Sequence, residues 1–259
     1  MIGCIIQARM GSSRLPGKVL KELEEGKSIL FYLLKQIRHC EFIDKIVIAT
    51  TDRDEDDEIS NFAESEGLEI FRGNEKNVLD RYYKCAKKFK FTTIVRITGD
   101  CPLIDPQIVD EVIKKYKENT YDYVTNCLKR TFPYGTEVEI FSFNSLENTY
   151  KNAELPSEKE HVTPYIRNHE NKFRIYNIEN KEDMSNYRWV VDEKNDFELV
   201  KEIVSKIKIS PILMKDILLL LKSEPSLKKI NMNNIPNEGY FKSLKDDNEF
   251  LKSKKTNQN

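Results

Sequence analysis

The chain begins with MIGCIIQARMGSSRLPGK, residues 1–18, in which a short apolar run leads directly into a loop rich in glycine and basic residues. The apolar run is typical of a buried β-strand. Gly11 and Gly17 allow the loop backbone to approach a ligand closely, and its amide groups can bind an anion. The loop carries three positive charges, Arg9, Arg14 and Lys18. A phosphate-binding loop is therefore predicted, with a surface turn of scattered charges as the alternative.

The spacing of this loop excludes the two common phosphate-binding templates. A Walker A loop has four residues between its glycines, followed by Lys-Ser or Lys-Thr. Here five residues separate Gly11 from Gly17, and Val19 follows Lys18. The dinucleotide fingerprint G-x-G-x-x-G is absent as well. The side chains indicate a different way of holding phosphate, because arginine offers paired donors to its oxygens and lysine a compact charge.

Behind the loop, β-branched runs alternate with amphipathic stretches through the first half of the chain. Further strands are predicted at 45–50, 68–71, 92–98 and 121–126. Ser28 can cap the first helix between them, and Asp105 with Pro106 is a strong helix start. This alternation predicts βαβ units and a mostly parallel sheet, in which ligands bind beyond the carboxyl ends of the strands. The residues that follow each strand are therefore the strongest candidates for functional residues.

The second half of the chain is less regular. Strands are predicted at 135–141, 172–178 and 187–191, and helices near 143–153, 157–168, 199–207 and 210–222. An α/β domain is expected over 1–222. The remaining segment, 223–259, is rich in Asn, Lys and Asp and is expected to form a loosely attached C-terminal tail.

Composition excludes several classes of protein. The 259 residues include 42 basic and 43 acidic side chains, whereas a nucleic-acid binder usually has a basic excess. The five cysteines form no C-x-x-C pair, so a reduced, cytoplasmic chain is expected rather than a disulfide framework or zinc site. The apolar start is too short for a signal peptide, and the longest apolar run, Ile217 to Leu221, is too short to span a membrane.

The segment IIQARMGSSRLPGKVL, residues 5–20, closely resembles the N-terminal signature of SpsF-type cytidylyltransferases of spore coat polysaccharide biosynthesis. It is more loosely similar to CMP-Kdo and CMP-sialic acid synthetases, whose pattern is A-R-x-x-S-x-R-x-x-x-K. The matching residues are Ala8, Arg9, Ser12, Arg14 and Lys18. Seven later segments follow the same family in order, including VRITGDCPLIDP (95–106), EKEHVTPYI (158–166) and VVDEKNDFELV (190–200).

The resemblance implies a three-layer α/β nucleotidyltransferase fold, Rossmann-like and similar to nucleotide-diphospho-sugar transferases, with a mostly parallel central sheet. It also implies CTP as the nucleotide. Because proteins of this family often dimerise through the segment after the fifth strand, a homodimer is expected. The resemblance does not specify the acceptor that receives the nucleotidyl group.

Two aspartates are candidate ligands for Mg²⁺, which prefers oxygen and commonly neutralises charge on a reacting phosphate. Asp100 follows the fourth strand, where it can also be a turn residue. Asp192 follows 187–191, where it can also cap a helix, and Asp196 belongs either to the same site or to that cap. The resemblance favours Asp100 and Asp192 as metal carboxylates. Arg9, Lys18 and Asp100 are the expected catalytic residues.

The remaining candidates fall into a nucleotide group and an acceptor group. The expected nucleotide-binding residues are Ala8, Arg9, Gly11, Ser12, Ser13, Arg14, Lys18, Arg72, Asp80, Arg81 and Asp100. Of these, Arg72, Asp80 and Arg81 are assigned to the cytosine, and a helix ion-pair surface is their alternative. The expected acceptor-binding residues are Glu137, Glu139, Lys159 and His161.

The two glutamates of the acceptor group alternate along a predicted strand and would share one face. That face can bind sugar hydroxyls, or it can simply be the solvent side of the strand. His161 can bind an acidic acceptor or act as a general base near neutral pH. Trp189 is expected to pack, with a place in the acceptor pocket as the alternative.

Together these residues predict a Mg²⁺-dependent cytidylyltransferase. It would transfer CMP from CTP to an acidic sugar or similar small polar acceptor, release pyrophosphate, and supply surface polysaccharide or glycan biosynthesis. Binding of nucleic acid or insertion into a membrane is not expected. The alternatives are a nucleotide-sugar-dependent glycosyltransferase and a non-catalytic nucleotide-binding protein.

Overall fold

The computed structural model describes residues 1–118, 120–235 and 238–256. The strands are β1 (Ile2–Gln7), β2 (Glu22–Glu24), β3 (Lys27–Ser28), β4 (Lys45–Thr51), β5 (Glu69–Gly73), β6 (Thr93–Thr98), β7 (Tyr123–Thr125), β8 (Glu139–Ser142) and β9 (Ile175–Asn177). The helices are α1 (Ile29–Ile37), α2 (Asp57–Ser65), α3 (Val78–Lys88), α4 (Pro106–Tyr116), α5 (Phe143–Asn152), α6 (Pro156–His161), α7 (Pro164–Arg167), α8 (Lys194–Lys206), α9 (Met214–Ser223), α10 (Pro225–Lys228) and α11 (Glu238–Thr256).

A central sheet with the strand order β5-β4-β1-β6-β8-β7-β9 organises the molecule. Neighbouring strands run parallel except at β8, which is antiparallel to both β6 and β7. Helices α1, α2 and α4 pack on one face of the sheet, and α3, α5 and α7 pack on the other. The predicted three-layer α/β fold with a mostly parallel sheet is therefore confirmed.

The antiparallel strand β8 matters for the site. Because it runs against β6, its amino end lies at the edge where β6 and the other parallel strands end. The residues just before β8 therefore join the loops after β1, β4 and β6 at this edge. Among the described residues, none of the helices is both long and apolar enough to cross a membrane.

Three sequence-based assignments are wrong in detail. The predicted strand at 187–191 is an extended segment joined to the rest by an isolated bridge between Tyr134 and Arg188. Its apolar residues instead enter a third core cluster with α8 and α9, in which Trp189 is fully buried. The predicted strand at 135–141 forms only from Glu139, and the predicted helix at 157–168 is divided by Val162, whose φ is 70°.

The predicted loose tail, 223–259, lies only partly within the described residues, and its described part is attached to the domain. Helix α11 packs along α6 through polar side chains. Asp247 accepts hydrogen bonds from the backbone N–H and the hydroxyl of Ser157, at 2.8 and 2.6 Å. Both side chains are buried, so this contact is part of the fold.

Candidate active site

The loop after β1 is held in a compact turn. The N–H groups of Ser12 and Gly17 both donate to the carbonyl oxygen of Met10, at 2.8 and 2.9 Å. Gly17 has a φ of 66°, a left-handed conformation that suits glycine. It leads into a short 3-10 helix that begins at Lys18. The turn thus directs the lysine back toward the ends of the strands.

A buried carboxylate fixes this loop to the neighbouring strand end. Asp56 is fully buried and accepts a hydrogen bond from the N–H of Met10 at 2.6 Å. It also accepts from the N–H and the hydroxyl of Thr51, the last residue of β4. The sequence does not reveal this role, because Asp56 is one of several acidic residues in the run 52–58 and nothing in the pattern distinguishes it.

At the centre of the strand edge, Lys18 lies between two carboxylates from distant parts of the chain. Its Nζ is 2.7 Å from Asp100 Oδ2 and 2.9 Å from Asp192 Oδ1. We call these three residues the loop cluster. Gly99 allows β6 to turn beside β1, because a Cβ there would lie 2.9 Å from the carbonyl oxygen of Gln7. Asp100 is therefore presented directly beside the phosphate-loop lysine.

Asp192 is placed by the extended segment that replaces the predicted strand. The N–H of Val191 donates to the carbonyl oxygen of Asp100 at 2.8 Å, which aligns the two aspartates. Behind them, the fully buried Asp196 accepts from the N–H of Asp192 at 3.1 Å and pairs with Arg188. Asp196 therefore supports the position of Asp192 and is also part of the cap at the start of α8.

Charge in the loop cluster is closely balanced. Burial alone would raise the pKa of Asp192, but Lys18, Arg14 and Arg188 outweigh it and hold the pKa at about 2. Burial alone would lower the pKa of Lys18, but Asp100 and Asp192 raise it above its usual range. Both groups are therefore ionised at neutral pH, and the lysine neutralises part of the negative charge.

The two aspartates fit the predicted metal. Their oxygens converge within hydrogen-bonding reach of one nitrogen, and Mg²⁺ is commonly bound by one or two carboxylates together with phosphate and water. Across the described ranges, no cluster of three or more acidic, histidine or cysteine side chains is arranged to hold a metal by itself. The donor set therefore suits an ion that arrives with a polyphosphate better than an ion held by protein ligands alone.

The other predicted nucleotide-binding residues of the phosphate loop differ in how far they are exposed. Ala8 is buried at the end of β1, Ser12 is half-buried, and Gly11 and Ser13 are exposed. Arg14 pairs with Asp192 at 3.0 Å and with Glu238 of α11 at 2.8 Å. Arg9 is exposed and has no hydrogen bond or ion pair with any residue in the described ranges. Arg14 thus lies at the loop cluster, and, in the described part of the chain, the guanidinium of Arg9 is free to bind a ligand.

The side chains of the three residues assigned to cytosine mainly contact other residues of the protein. The guanidinium of Arg72 donates to Asp57 and to the carbonyl oxygens of Thr51 and Arg53. Asp80 pairs with Lys84 and accepts from the hydroxyl of Tyr150. The structure does not bring these two side chains to the loop cluster.

Arg81 differs from the other two because its donors are not all used. It is almost fully buried and donates to the carbonyl oxygen of Asn74 at 2.7 Å, while its Nε has no partner in the described structure. Burial lowers the pKa of Arg81, and the nearby charge of Arg9 lowers it further. The two arginines are therefore close enough to interact.

On the acceptor side, the two predicted glutamates have different surroundings. Glu137 accepts from Arg130 at 2.6 Å and from the N–H of Gly135 at 2.8 Å, and it lies beside Cys101, next to Asp100. It is therefore near the loop cluster, before β8 begins. Burial raises the pKa of the Cys101 thiol, and Asp100 and Glu137 raise it further. The thiol is thus protonated at neutral pH.

Glu139 lies inside the protein, so the interpretation of a solvent-facing strand side is wrong for it. Its carboxylate accepts from Arg96 at 2.5 Å, from the hydroxyl of Tyr123 at 2.5 Å and from the hydroxyl of Thr163 at 2.6 Å. We call these four residues the sheet cluster. Burial would raise the pKa of Glu139, but Arg96 and Arg167 lower it below its usual range. The sequence analysis did not predict the sheet cluster or the nearby Arg167.

The last two predicted acceptor residues lie on α6. His161 hydrogen-bonds through Nε2 to Ser243 of α11 at 2.9 Å, and it is close enough to the sheet cluster to be influenced by its charges. Burial lowers the pKa of His161 to about 4, so the ring is neutral at pH 7. Lys159 is half-buried and its side chain has no hydrogen bond or ion pair within the described residues.

Comparison with known proteins gives a consistent result. The family model described as "Cytidylyltransferase" matches residues 3–224. The spore coat polysaccharide biosynthesis protein SpsF of Bacillus subtilis is 36% identical over 85% of this chain and 94% of its own length. A solved cytidylyltransferase structure from Leptospira borgpetersenii has a TM-score of 0.85 and 34% identity, covering 90% of this chain and 98% of that one. A 3-deoxy-manno-octulosonate cytidylyltransferase of Geobacter sulfurreducens is 31% identical over 46% of each chain.

Proposed function

This chain belongs to the cytidylyltransferase family and is a nucleotidyltransferase, and we propose that it transfers CMP from CTP to an acidic sugar with release of pyrophosphate. The observation that carries this proposal is the loop cluster. It joins a basic phosphate-type loop to two carboxylates 82 and 174 residues away, at the edge of the sheet where ligands bind.

In the proposed reaction, an oxygen of the acceptor attacks the α-phosphorus of CTP, and the bond to pyrophosphate breaks. Arg9, Arg14 and Lys18 hold the triphosphate and then the leaving pyrophosphate. Arg14 would exchange its ion pairs with Asp192 and Glu238 for contacts with phosphate oxygens. Lys18 would bind a phosphate oxygen in addition to its aspartate partners. The acceleration comes mainly from positioning the two reactants and stabilising charge that develops on phosphate.

Asp100 and Asp192 are the proposed ligands of a divalent metal, with Mg²⁺ as the expected ion. A bound Mg²⁺ would supply charge neutralisation at the phosphate oxygens. Cytidylyltransferases of this kind generally use a divalent metal. In this chain two hydrogen bonds keep the carboxylates of Asp100 and Asp192 close together. The N–H of Val191 donates to the carbonyl oxygen of Asp100, and Asp196 accepts from the N–H of Asp192.

An acidic acceptor is supported by the charge around the acceptor side. The side chain of Arg167 makes no hydrogen bond or ion pair within the described residues, and its guanidinium lies over the ring of Tyr240 and near Glu139. The other charges there nearly balance, because Arg96 pairs with Glu139, and Glu160 lies beside His161, which is neutral at pH 7. A carboxylate of the substrate would therefore pair with Arg167. Glu137, beside the Asp100 loop, is the proposed contact for an acceptor hydroxyl. The product would be a CMP-linked sugar for surface polysaccharide or glycan synthesis.

The direct test is release of pyrophosphate. Purified protein with Mg²⁺ is incubated with CTP, ATP, GTP or UTP and a panel of acidic sugars that starts with 3-deoxy-manno-octulosonate. We expect pyrophosphate only with CTP and one of the sugars. The Lys18→Met variant should lose this activity, and the matched Lys21→Met variant, at an exposed lysine of the same segment, should keep it.

Other outcomes distinguish the alternatives. Turnover with a different nucleotide would overturn the assignment of CTP. Transfer of a sugar from a nucleotide sugar, without pyrophosphate release, would favour a glycosyltransferase. Stabilisation by CTP without turnover of any sugar would favour a non-catalytic nucleotide-binding protein.

A further inference from the structure

The C-terminal helix α11 reaches the acceptor side of the site and contacts His161 twice. Ser243 Oγ lies 2.9 Å from His161 Nε2. The ring of Tyr240, one turn earlier, packs edge-on against the imidazole with centroids 5.3 Å apart. Ser243 is almost fully buried in the contact with α6. The orientation of the imidazole therefore depends on a helix that lies outside the α/β domain predicted from sequence.

The hydrogen bonds of Ser243 determine which imidazole nitrogen carries the proton. Its hydroxyl is 2.7 Å from Glu160 Oε2 and 3.2 Å from the carbonyl oxygen of Gly239. Both oxygens are acceptors, and a serine hydroxyl has one hydrogen to donate. When that hydrogen goes to Glu160, the oxygen of Ser243 must accept from His161. Nε2 is then the protonated nitrogen and Nδ1 keeps its lone pair.

His161 Nδ1 has no hydrogen-bond partner among the described residues, and a quarter of the side chain is exposed. Arg167 lies on the neighbouring helix and is positioned over the ring of Tyr240 at 5.5 Å. Within the described ranges its guanidinium donates no hydrogen bond. An acceptor atom and an unused cation thus lie close to the same tyrosine. This combination suits a ligand that carries both a hydroxyl and an anionic group.

We propose that Glu160 and Ser243 fix His161 in its Nε2–H tautomer, so that Nδ1 accepts a hydrogen bond from a hydroxyl of the acceptor sugar. Ser243 is then a positioning residue, and α11 forms a wall of the acceptor site. The sugar part of this inference rests on the proposed function, whereas the tautomer does not.

The tautomer is tested by NMR of the imidazole nitrogens in the full chain, without substrate. The chain has three histidines, so comparison with a His161→Gln variant assigns the ring. At neutral pH we expect the pattern of a neutral ring protonated at Nε2. In Ser243→Ala the pattern should move toward a mixture of tautomers, and in Ser243→Thr, which keeps the hydroxyl, it should be retained. A ring protonated at Nδ1 in the wild type would overturn the proposal.

The role in the site is tested with the acidic sugar that releases pyrophosphate in the screen above. Ser243→Ala should raise the KM for that sugar roughly threefold to tenfold, the value of one hydrogen bond, and leave the KM for CTP unchanged. Ser243→Thr should restore the sugar KM. Ser253→Ala is the matched control, because Ser253 is exposed on the same helix and bonds only within it.

The outcomes separate this inference from the proposed function. An unchanged sugar KM in Ser243→Ala, or an equal rise in the KM for CTP, would overturn the positioning role. If no sugar in the panel releases pyrophosphate, the proposed function and the sugar contact fail together, while the NMR result still decides the tautomer. Melting temperatures of the serine variants check that each one is folded.

Discussion

The loop cluster and the sheet cluster are both built from opposite charges, but they differ in how far their carboxylates are exposed. Asp192 in the loop cluster pairs with Lys18, Arg14 and Arg188 and still keeps 20% of its side chain exposed. Asp100 in the loop cluster keeps 21% of its side chain exposed and has one strong hydrogen-bond donor, Lys18. Glu139 in the sheet cluster is 6% exposed and accepts from three donors. Asp100 can therefore still bind a ligand, whereas the hydrogen-bonding capacity of Glu139 is already used. This difference supports the proposed role of the loop cluster in the reaction and a structural role for the sheet cluster.

The largest effect should come from breaking the loop cluster. Asp100→Asn keeps the size of the side chain but removes a proposed metal ligand. We expect turnover of CTP to fall roughly 10²–10³-fold or more, as for other losses of charge stabilisation in a transition state. The free energy of unfolding should change by at most about 1 kcal/mol, because the ion pair is partly exposed. Pyrophosphate release and urea denaturation measure the two effects.

The control for this variant is Asp246→Asn, an exposed aspartate on α11. It should change neither the rate of pyrophosphate release nor the free energy of unfolding. An Asp100→Asn variant that turned over at the wild-type rate would remove the proposed role of this carboxylate. A variant that lost several kcal/mol of stability would show that the two clusters do not differ as described.

The sheet cluster should respond in the opposite way. Glu139→Gln leaves the buried guanidinium of Arg96 without its charged partner, so the free energy of unfolding should fall by about 3 kcal/mol. Urea denaturation measures this loss. The matched control is Glu118→Gln, which breaks the exposed pair with Lys115 and should cost less than about 1 kcal/mol. Equal losses in the two variants would contradict a structural role for the sheet cluster.

The loop cluster could be predicted from sequence because a general rule of parallel sheets locates it. Lys18 and Asp100 each follow a strand that the hydrophobic pattern predicts, and such strands end at one edge. The structure also places Asp192 beside Asp100 and Lys18, although 187–191 is not a strand. The segment is apolar because it enters the core beside α8, and it still ends beside Asp100.

The sheet cluster and the α11 contacts could not be predicted, because they depend on packing between distant elements. Glu139 reads as a solvent-facing residue until β8 is known to be central and antiparallel. Helix α11 packs on α6 through the polar side chains of Ser243 and Asp247. Its sequence therefore shows no apolar stripe from which a packed helix could be predicted. Asp56 is one carboxylate in an acidic run, and its burial against Met10 and Thr51 depends on how the loop after β1 packs on β4.

The smallest predicted effect concerns His161, which links the sheet cluster to α11. Its pKa is lowered from 6.5 to about 4 by burial and by Arg96 and Arg167, against the opposing charges of Glu160 and Glu139. Between these two pH values the unfolded chain binds more protons than the folded chain. The free energy of unfolding should therefore fall as pH falls from about 6.5 to 4.

Replacing His161 by Gln removes this proton linkage. The loss of stability between pH 6.5 and 4 should become smaller by on the order of 2 kcal/mol, measured by urea denaturation across that range. His39→Gln is the control, since His39 is exposed and also contacts a serine, and it should leave the slope unchanged. Asp192, with a pKa of about 2, does not titrate in this window. A slope that is the same in wild type and His161→Gln would mean that His161 is protonated as easily in the folded chain as in the unfolded one. Its environment would then resemble the solvated loop cluster more than the buried sheet cluster.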